Sequence, residues 1–285
     1  MNMRTLCLGA ALLVGGVGAE QVSSPVDVLT MVQDARCKQV IATCLVNGQP
    51  VRMLLDTGAS HTVLHTESAA ALKGVRRIDT SQMQFNGNAR QKPGLLVSPL
   101  LAGQKEFSEH TFLVLDLSAV RDSMAEKVDG IMGMDVLGQL PFTFDQRSGK
   151  FYWGIPQNVQ AAPLSGKPDR FGRLIVHAEC CGKVLELLLD TGSSITRVDA
   201  DVWPAGVSRV SEARVGDVND AERLQVQVGN PADLSVAPGV VLEGVEPLLG
   251  ISGQPPIIGM DALKDVMLIH EPRENSPTGE FFVAE

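Results

Sequence analysis

The residues Leu54-Leu55-Asp56-Thr57-Gly58-Ala59-Ser60 recur as Leu188-Leu189-Asp190-Thr191-Gly192-Ser193-Ser194, 134 positions further on. In each copy an apolar run suited to a buried strand leads straight into Asp-Thr-Gly, a tight turn that leaves one carboxylate at the strand tip. A chain carrying this arrangement twice is constrained to form two comparable strand ends. Brought together, the two tips make a carboxylate pair.

The neighbourhood of each copy repeats as well. Before the first, Val40 to Val46 and Pro50 to Leu55 flank Asn47-Gly48, the strongest short-range signal for a two-residue hairpin. Gly182 follows Gly48 by the same 134 positions and predicts a second turn ahead of Val184 to Leu189. Beyond each Asp, Ile131-Met132-Gly133-Met134-Asp135-Val136-Leu137 is matched by Ile257-Ile258-Gly259-Met260-Asp261-Ala262-Leu263 at an offset of 126. Gly149-Lys150-Phe151-Tyr152 is matched by Gly279-Glu280-Phe281-Phe282 at 130. Small drifts in offset fit loop insertions. The pattern predicts a tandem duplication of one mostly β unit, with a first half over 38–155, a linker rich in Pro and Gly over 156–170 and a second half over 171–285. A chain of 285 residues has room for two such units, each with its own core. Within the first half, a short helix is expected from Glu67 to Leu72, ending at Gly74.

The N-terminus reads as separate from this fold. Arg4 gives a basic start, residues 6–17 an apolar stretch, and Val17-Gly18-Ala19 a small-residue cleavage site. Residues 1–19 are expected to be a secretory signal peptide, making the protein exported, periplasmic or secreted. Cys7 lies too early, with no small-residue cleavage site before it, for a lipid-attachment cysteine. A net charge of −9 argues against nucleic acid or an anionic membrane as partner. No apolar run is long enough for stable membrane insertion. The remaining cysteines, Cys37, Cys44, Cys180 and Cys181, permit disulfides in an exported chain but match no metal spacing, so no metal and no cofactor is expected.

Two carboxylates about 3 Å apart cannot both ionise and therefore share a proton, which supplies a base and an acid together. The ionised member can take a proton from water while its partner donates to a peptide carbonyl oxygen. Thr57 and Thr191 have hydroxyls able to brace one loop against the other. Gly58 and Gly192 allow the turn and keep side chains off the carboxylates. Ser60 and Ser194 are expected to hydrogen-bond the outer carboxylate oxygens.

These residues resemble the aspartic peptidases. The apolar-apolar-Asp-Thr-Gly-(Ala/Ser)-Ser signature with a later apolar-apolar-Gly, Ile131-Met132-Gly133 and Ile257-Ile258-Gly259, is similar to the retropepsin-like unit in both halves, covering about residues 38–285. The resemblance implies two retropepsin-like lobes related by a pseudo-twofold axis, with Asp56 and Asp190 as the catalytic dyad of an endopeptidase. It implies a polypeptide substrate, a monomer that is internally a pseudo-dimer, and a flap around Asn86-Gly87. A less regular second flap would lie at Gly216 to Glu222. Tyr152 is the sole tyrosine, so a pepsin-like flap tyrosine has no counterpart. The alternatives are a catalytically silent peptide-binding or assembly module on the same fold, and lobes that pair between chains.

Other candidates carry less. The five histidines, His61 among them, show no ligand spacing. Asp135 and Asp261 are explained as acids at helix starts. No Gly-x-Ser-x-Gly elbow supports a serine nucleophile. Phe151-Tyr152 and Phe281-Phe282 are expected in the core or in strands between the halves.

Overall fold

The Asn47-Gly48 pair forms the turn its chemistry demands. In the computed structural model, described for residues 27–29, 31–79, 94–216, 221–251, 255–274 and 276–284, the strands Val40–Val46 and Gln49–Leu55 meet with Val46 opposite Gln49. Asn47 and Gly48 take φ of 47° and 73°, the left-handed pair of a type I′ turn. The second half repeats the device with Leu174–Cys180 and Lys183–Leu189, where Cys181 (φ 48°) and Gly182 (φ 76°) occupy the turn. An exposed cysteine thus stands in a left-handed position that the first half gives to asparagine.

The second strand of each hairpin ends buried on both faces, at Met53-Leu54-Leu55 and Leu187-Leu188-Leu189, which is why its end reads as an unbroken apolar run. Leu54 pairs in parallel with Ile131 of Gly130–Met132, and Leu188 with Ile257 of Ile257–Ile258. Val63 of Val63–His65 and Arg197 of Arg197–Val198 then pair antiparallel with Ile131 and Ile257. The first half builds an eight-stranded sheet in this way and the second a ten-stranded sheet. The short helix falls at Thr66–Ala71, close to its expected place.

A six-stranded sheet draws on both halves. Phe142–Asp145 and Lys150–Trp153 come from the first, Met267–Arg273 and Ser276–Ala284 from the second. Phe142 pairs with His270, Thr143 with Ile269 and Phe144 with Leu268, so residues 126 positions apart exchange places across the pairing. The Phe142 ring stacks on Phe151 at 5.3 Å and on His270 at 4.9 Å, and Phe151 meets Trp153 edge-on at 5.1 Å. Phe151 and Phe281 are buried here, in strands of the shared sheet, as expected. Residues 156–170 contribute two short strands, Ala162–Pro163 against Ser276–Ala284 and Gly166–Pro168 against Leu174–Cys180.

A pair of antiparallel strands flanks each segment expected to be a flap. Arg76–Ile78 pairs with Gly94–Ala102, and Val207–Gly216 with Ala221–Gly229. The segments between the paired strands, with Asn86, Gly87 and residues 217–220, lie outside the described residues, as do Cys7 and the segment 1–19 expected to be a signal peptide. Cys37, Cys44, Cys180 and Cys181 are free thiols, and the Sγ atoms of Cys180 and Cys181 stand 4.0 Å apart.

The chain entering the first hairpin is anchored by Asp34, a buried carboxylate. It accepts hydrogen bonds from the amides of Arg36, Cys37, Ala125 and Glu126 and from the Cys37 thiol. Burial pushes its pKa up, but these donors outweigh burial and hold it at about 2. Because the folded pKa lies below the unfolded value of about 3.9, the carboxylate stabilises the fold fully above pH 4, and this contribution is lost as pH falls toward 2. Asp34→Asn should therefore lower the melting temperature by roughly 3–6 °C at pH 6. The gap from wild type should close on acidification, as read by thermal denaturation at pH 2, 3, 4 and 6.

Candidate active site

Both Asp residues sit where a buried parallel strand pair ends. The amide of Asp56 donates to the Met132 carbonyl at 3.0 Å and that of Asp190 to the Ile258 carbonyl at 3.1 Å, continuing the pairing by one residue. The chain then turns, and the carboxylate is fixed by the amides ahead of it. Asp56 Oδ1 accepts from Gly58 at 2.7 Å and Ala59 at 3.0 Å. Asp190 accepts from the amides of Gly192 and Ser193.

The two loops lie tip to tip. A Cβ added to Gly58 would come to 2.5 Å from Asp190 Cγ, and one added to Gly192 would overlap Asp56 Cγ. Each glycine of the motif is therefore demanded by the opposite carboxylate. Between the loops, Thr57 and Thr191 form a closed set of four hydrogen bonds. The Thr57 amide donates to Thr191 Oγ1 at 3.0 Å and the Thr191 amide to Thr57 Oγ1 at 3.2 Å. Thr57 Oγ1 donates to the Leu189 carbonyl and Thr191 Oγ1 to the Leu55 carbonyl, each at 2.9 Å. Both threonines are buried, and each hydroxyl donates once and accepts once, so no buried polar atom in the set is left wanting.

A second brace lies outside this one. Arg173 Nη1 donates to the Gly58 carbonyl at 2.8 Å, and Gln39 Nε2 donates to the Gly192 carbonyl. Gln39 and Arg173 are themselves 134 positions apart, so each reaches across to the glycine carbonyl of the other motif. Asp169 holds the guanidinium in place, bonding Arg173 Nε at 2.8 Å and Nη2 at 2.6 Å. Sequence reasoning missed this pair, although the shared spacing from the motif was there to be read.

Asp135 and Asp261 do begin the helices Met134–Leu137 and Met260–Leu263, but four-residue helices carry little dipole. Their work is with Thr62 and Thr196. Asp135 accepts from the amide and hydroxyl of Thr62 at 2.9 and 2.7 Å, and Thr62 Oγ1 accepts from the Gly133 amide at 3.1 Å. Asp261, Thr196 and Gly259 repeat the three bonds at 2.9, 2.7 and 3.1 Å. These clasps tie the strand after each motif to the apolar-apolar-Gly segment.

The expected role of the motif serines needs correction. Ser60 Oγ bonds His61 Nδ1 at 2.9 Å, and among the described residues no hydrogen bond joins Ser60 or Ser194 to a motif carboxylate. The turn amides of Gly58 and Ala59 both bond Asp56 Oδ1, while Ser60 turns to His61 instead. His61 is exposed at this edge.

The electrostatics follow from this packing. Burial pushes Asp56 well above the usual carboxylate range, and the neighbouring charge of Asp190 adds to it. Burial raises Asp190 too, but the Arg197 guanidinium and a hydrogen bond from Asp56 oppose the rise. One proton is thus retained on the pair where two ordinary aspartates would have lost both. The arrangement can offer a carboxylate base and a carboxylic acid side by side.

The family described as aspartyl protease matches residues 42–136, a span that includes Asp56 and Ile131-Met132-Gly133. No curated protein matches the chain. Over that segment, about a third of the chain, the sequence is similar to aspartyl proteases, which supports a likeness to the aspartic peptidase superfamily.

Because the folded pair keeps a proton that the unfolded chain releases near pH 4, its contribution to stability declines as pH rises from 4 through the folded pKa. Asp56→Asn removes the ionisation that the fold resists. The variant should melt above wild type at pH 7, with the difference shrinking toward pH 4, as measured by calorimetry across that range.

Proposed function

We propose that this chain is an aspartic endopeptidase in which Asp56 and Asp190 form the catalytic dyad. The observation that carries the reading is the tip-to-tip packing of the two motifs, in which the opposite carboxylate occupies the space a Cβ would need on each glycine. Thr57 and Thr191 hold the dyad from beneath, with Gly58, Gly192, Gln39 and Arg173 supporting it.

In the proposed reaction the ionised aspartate takes a proton from a water that attacks the peptide carbonyl carbon. The protonated aspartate donates to the carbonyl oxygen, and a neutral gem-diol results. On collapse the C–N bond breaks, the amine receives the proton held by the first aspartate, and the second regains its own from a diol hydroxyl. The dyad returns to its starting state, and the step requires neither metal nor organic cofactor.

The architecture we propose is two retropepsin-like lobes, 38–155 and 171–285, about a pseudo-twofold axis with the dyad in the cleft between them. The exchange of partners in the Phe142–Asp145 and Met267–Arg273 pairing supports that axis. Thr57 and Thr191 bond within one chain, which favours a monomer over lobes pairing between chains. The substrate is an extended polypeptide, bound by backbone hydrogen bonds with side chains in alternating pockets. The two hairpins would cover it, and the N-terminal segment would direct export to the periplasm or medium.

Asp56→Asn and Asp190→Asn should each reduce cleavage of a peptide library by at least about 10³-fold between pH 3 and 7. Cleavage by both variants at the wild-type rate would remove the dyad. Binding without cleavage by any of the three proteins would make the chain a peptide-binding module instead.

A further inference from the structure

Val63 and Arg197 are 134 positions apart and hold the same place in the two halves. Val63 pairs with Ile131, which pairs with Leu54. Arg197 pairs with Ile257, which pairs with Leu188. Residues directly paired across a sheet share a face, and Asp56 and Asp190 lie two residues beyond Leu54 and Leu188, so they are on that same face. The lateral step from Arg197 to the Asp190 strand is two strand spacings, about 10 Å, within reach of an extended arginine side chain meeting a carboxylate. On the first side the position is apolar: Val63 is buried against Ile41, Leu54 and Ile131. On the second, a half-buried guanidinium stands in its place and acts on the Asp190 carboxylate.

Among the described residues, the other charged groups of this region have partners of their own. Arg173 is committed to Asp169 and the Gly58 carbonyl, while its counterpart Gln39 is neutral. Asp135 and Asp261 are occupied by Thr62 and Thr196. His110 lies 3.5 Å from Asp135, and His61 is bonded to Ser60 at the exposed edge.

We propose that Arg197 polarises the dyad, making Asp190 the base that activates water and leaving the shared proton on Asp56 as the acid. The proposal rests on the peptidase reading above. It makes Arg197 a positioning residue acting through Asp190. A duplicated site would otherwise allow the proton on either carboxyl, and this charge gives the reaction one direction across the cleft. The proton movements are those already written, with Asp190 taking the proton of water and Asp56 supplying that of the carbonyl oxygen.

The test joins kinetics to a direct titration. In Arg197→Val, which installs the first-half residue, the acid limb of kcat/KM against pH should move up by about one unit, because Asp190 loses its stabilising cation. KM should change less than twofold, and Arg197→Lys should restore the limb. Carbon-13 carboxyl NMR of aspartate-labelled wild type, assigned with Asp56→Asn and Asp190→Asn, should place the lower titration step on Asp190. An acid limb unmoved in Arg197→Val, an equal movement in Arg197→Lys, or a rise in KM alone would overturn the proposal. So would a lower step on Asp56, a reading that needs no arginine variant to fold. If wild type cleaves nothing, the peptidase reading fails while the NMR assignment still decides where the proton sits.

Discussion

The four hydrogen bonds between Thr57 and Thr191 are the interaction on which the rest depends. A pair of buried carboxyls repels itself once both ionise, and nothing in either loop alone would hold its partner close. The threonines resolve this by joining backbone to backbone. Each hydroxyl spans from its own loop to a strand carbonyl of the other half while receiving that half's amide. At about 1 kcal/mol net apiece the bonds are modest, but loss of any one leaves a buried donor or acceptor unpaired. Their value is geometric: they fix how the two carboxyl-bearing loops face each other. Gln39 and Arg173 then hold the glycine carbonyls from outside, so each turn is gripped on two sides.

Much of this was legible in the residues because the site is made of a repeated local motif. Asn47-Gly48 specifies its hairpin through left-handed backbone angles, and Leu54-Leu55 marks a strand buried on both faces. The meeting of Asp56 and Asp190 followed from there being two copies. What stayed hidden depends on reach across the chain. That Gln39 and Arg173 touch glycine carbonyls of opposite halves requires the tertiary arrangement, since neither lies in a recognisable motif. Ser60 misled for a related reason: its hydroxyl is taken by the neighbouring His61 ring, a choice of partner that only the folded loop decides. Asp135 looked like a helix-start acid, and only the packed structure brings Thr62 to it.

The two halves also show where their likeness ends. The clasps Thr62–Asp135 and Thr196–Asp261 match at 2.7 Å from hydroxyl to carboxylate, and the two hairpins share their turn geometry. The differences gather on the second side, where Arg173 and Arg197 replace Gln39 and Val63. Both substitutions introduce positive charge beside a carboxyl pair in a chain whose net charge is −9. Frame positions that fix backbone are matched, and charge varies at positions whose side chains lie near the carboxyls.

The shared six-stranded sheet bears on the order in which this molecule assembles. Its central pairing joins Phe142 to His270, and the threonine bonds close a loop of 134 residues. Contacts this distant form late, after hairpins such as Val40–Val46 with Gln49–Leu55 have condensed locally. A growing or truncated chain therefore holds a single motif carboxyl, solvated and titrating as an ordinary aspartate. The unusual acidity of the pair comes into being only when the last strands close the sheet, so it is a property of the completed fold and of neither half alone.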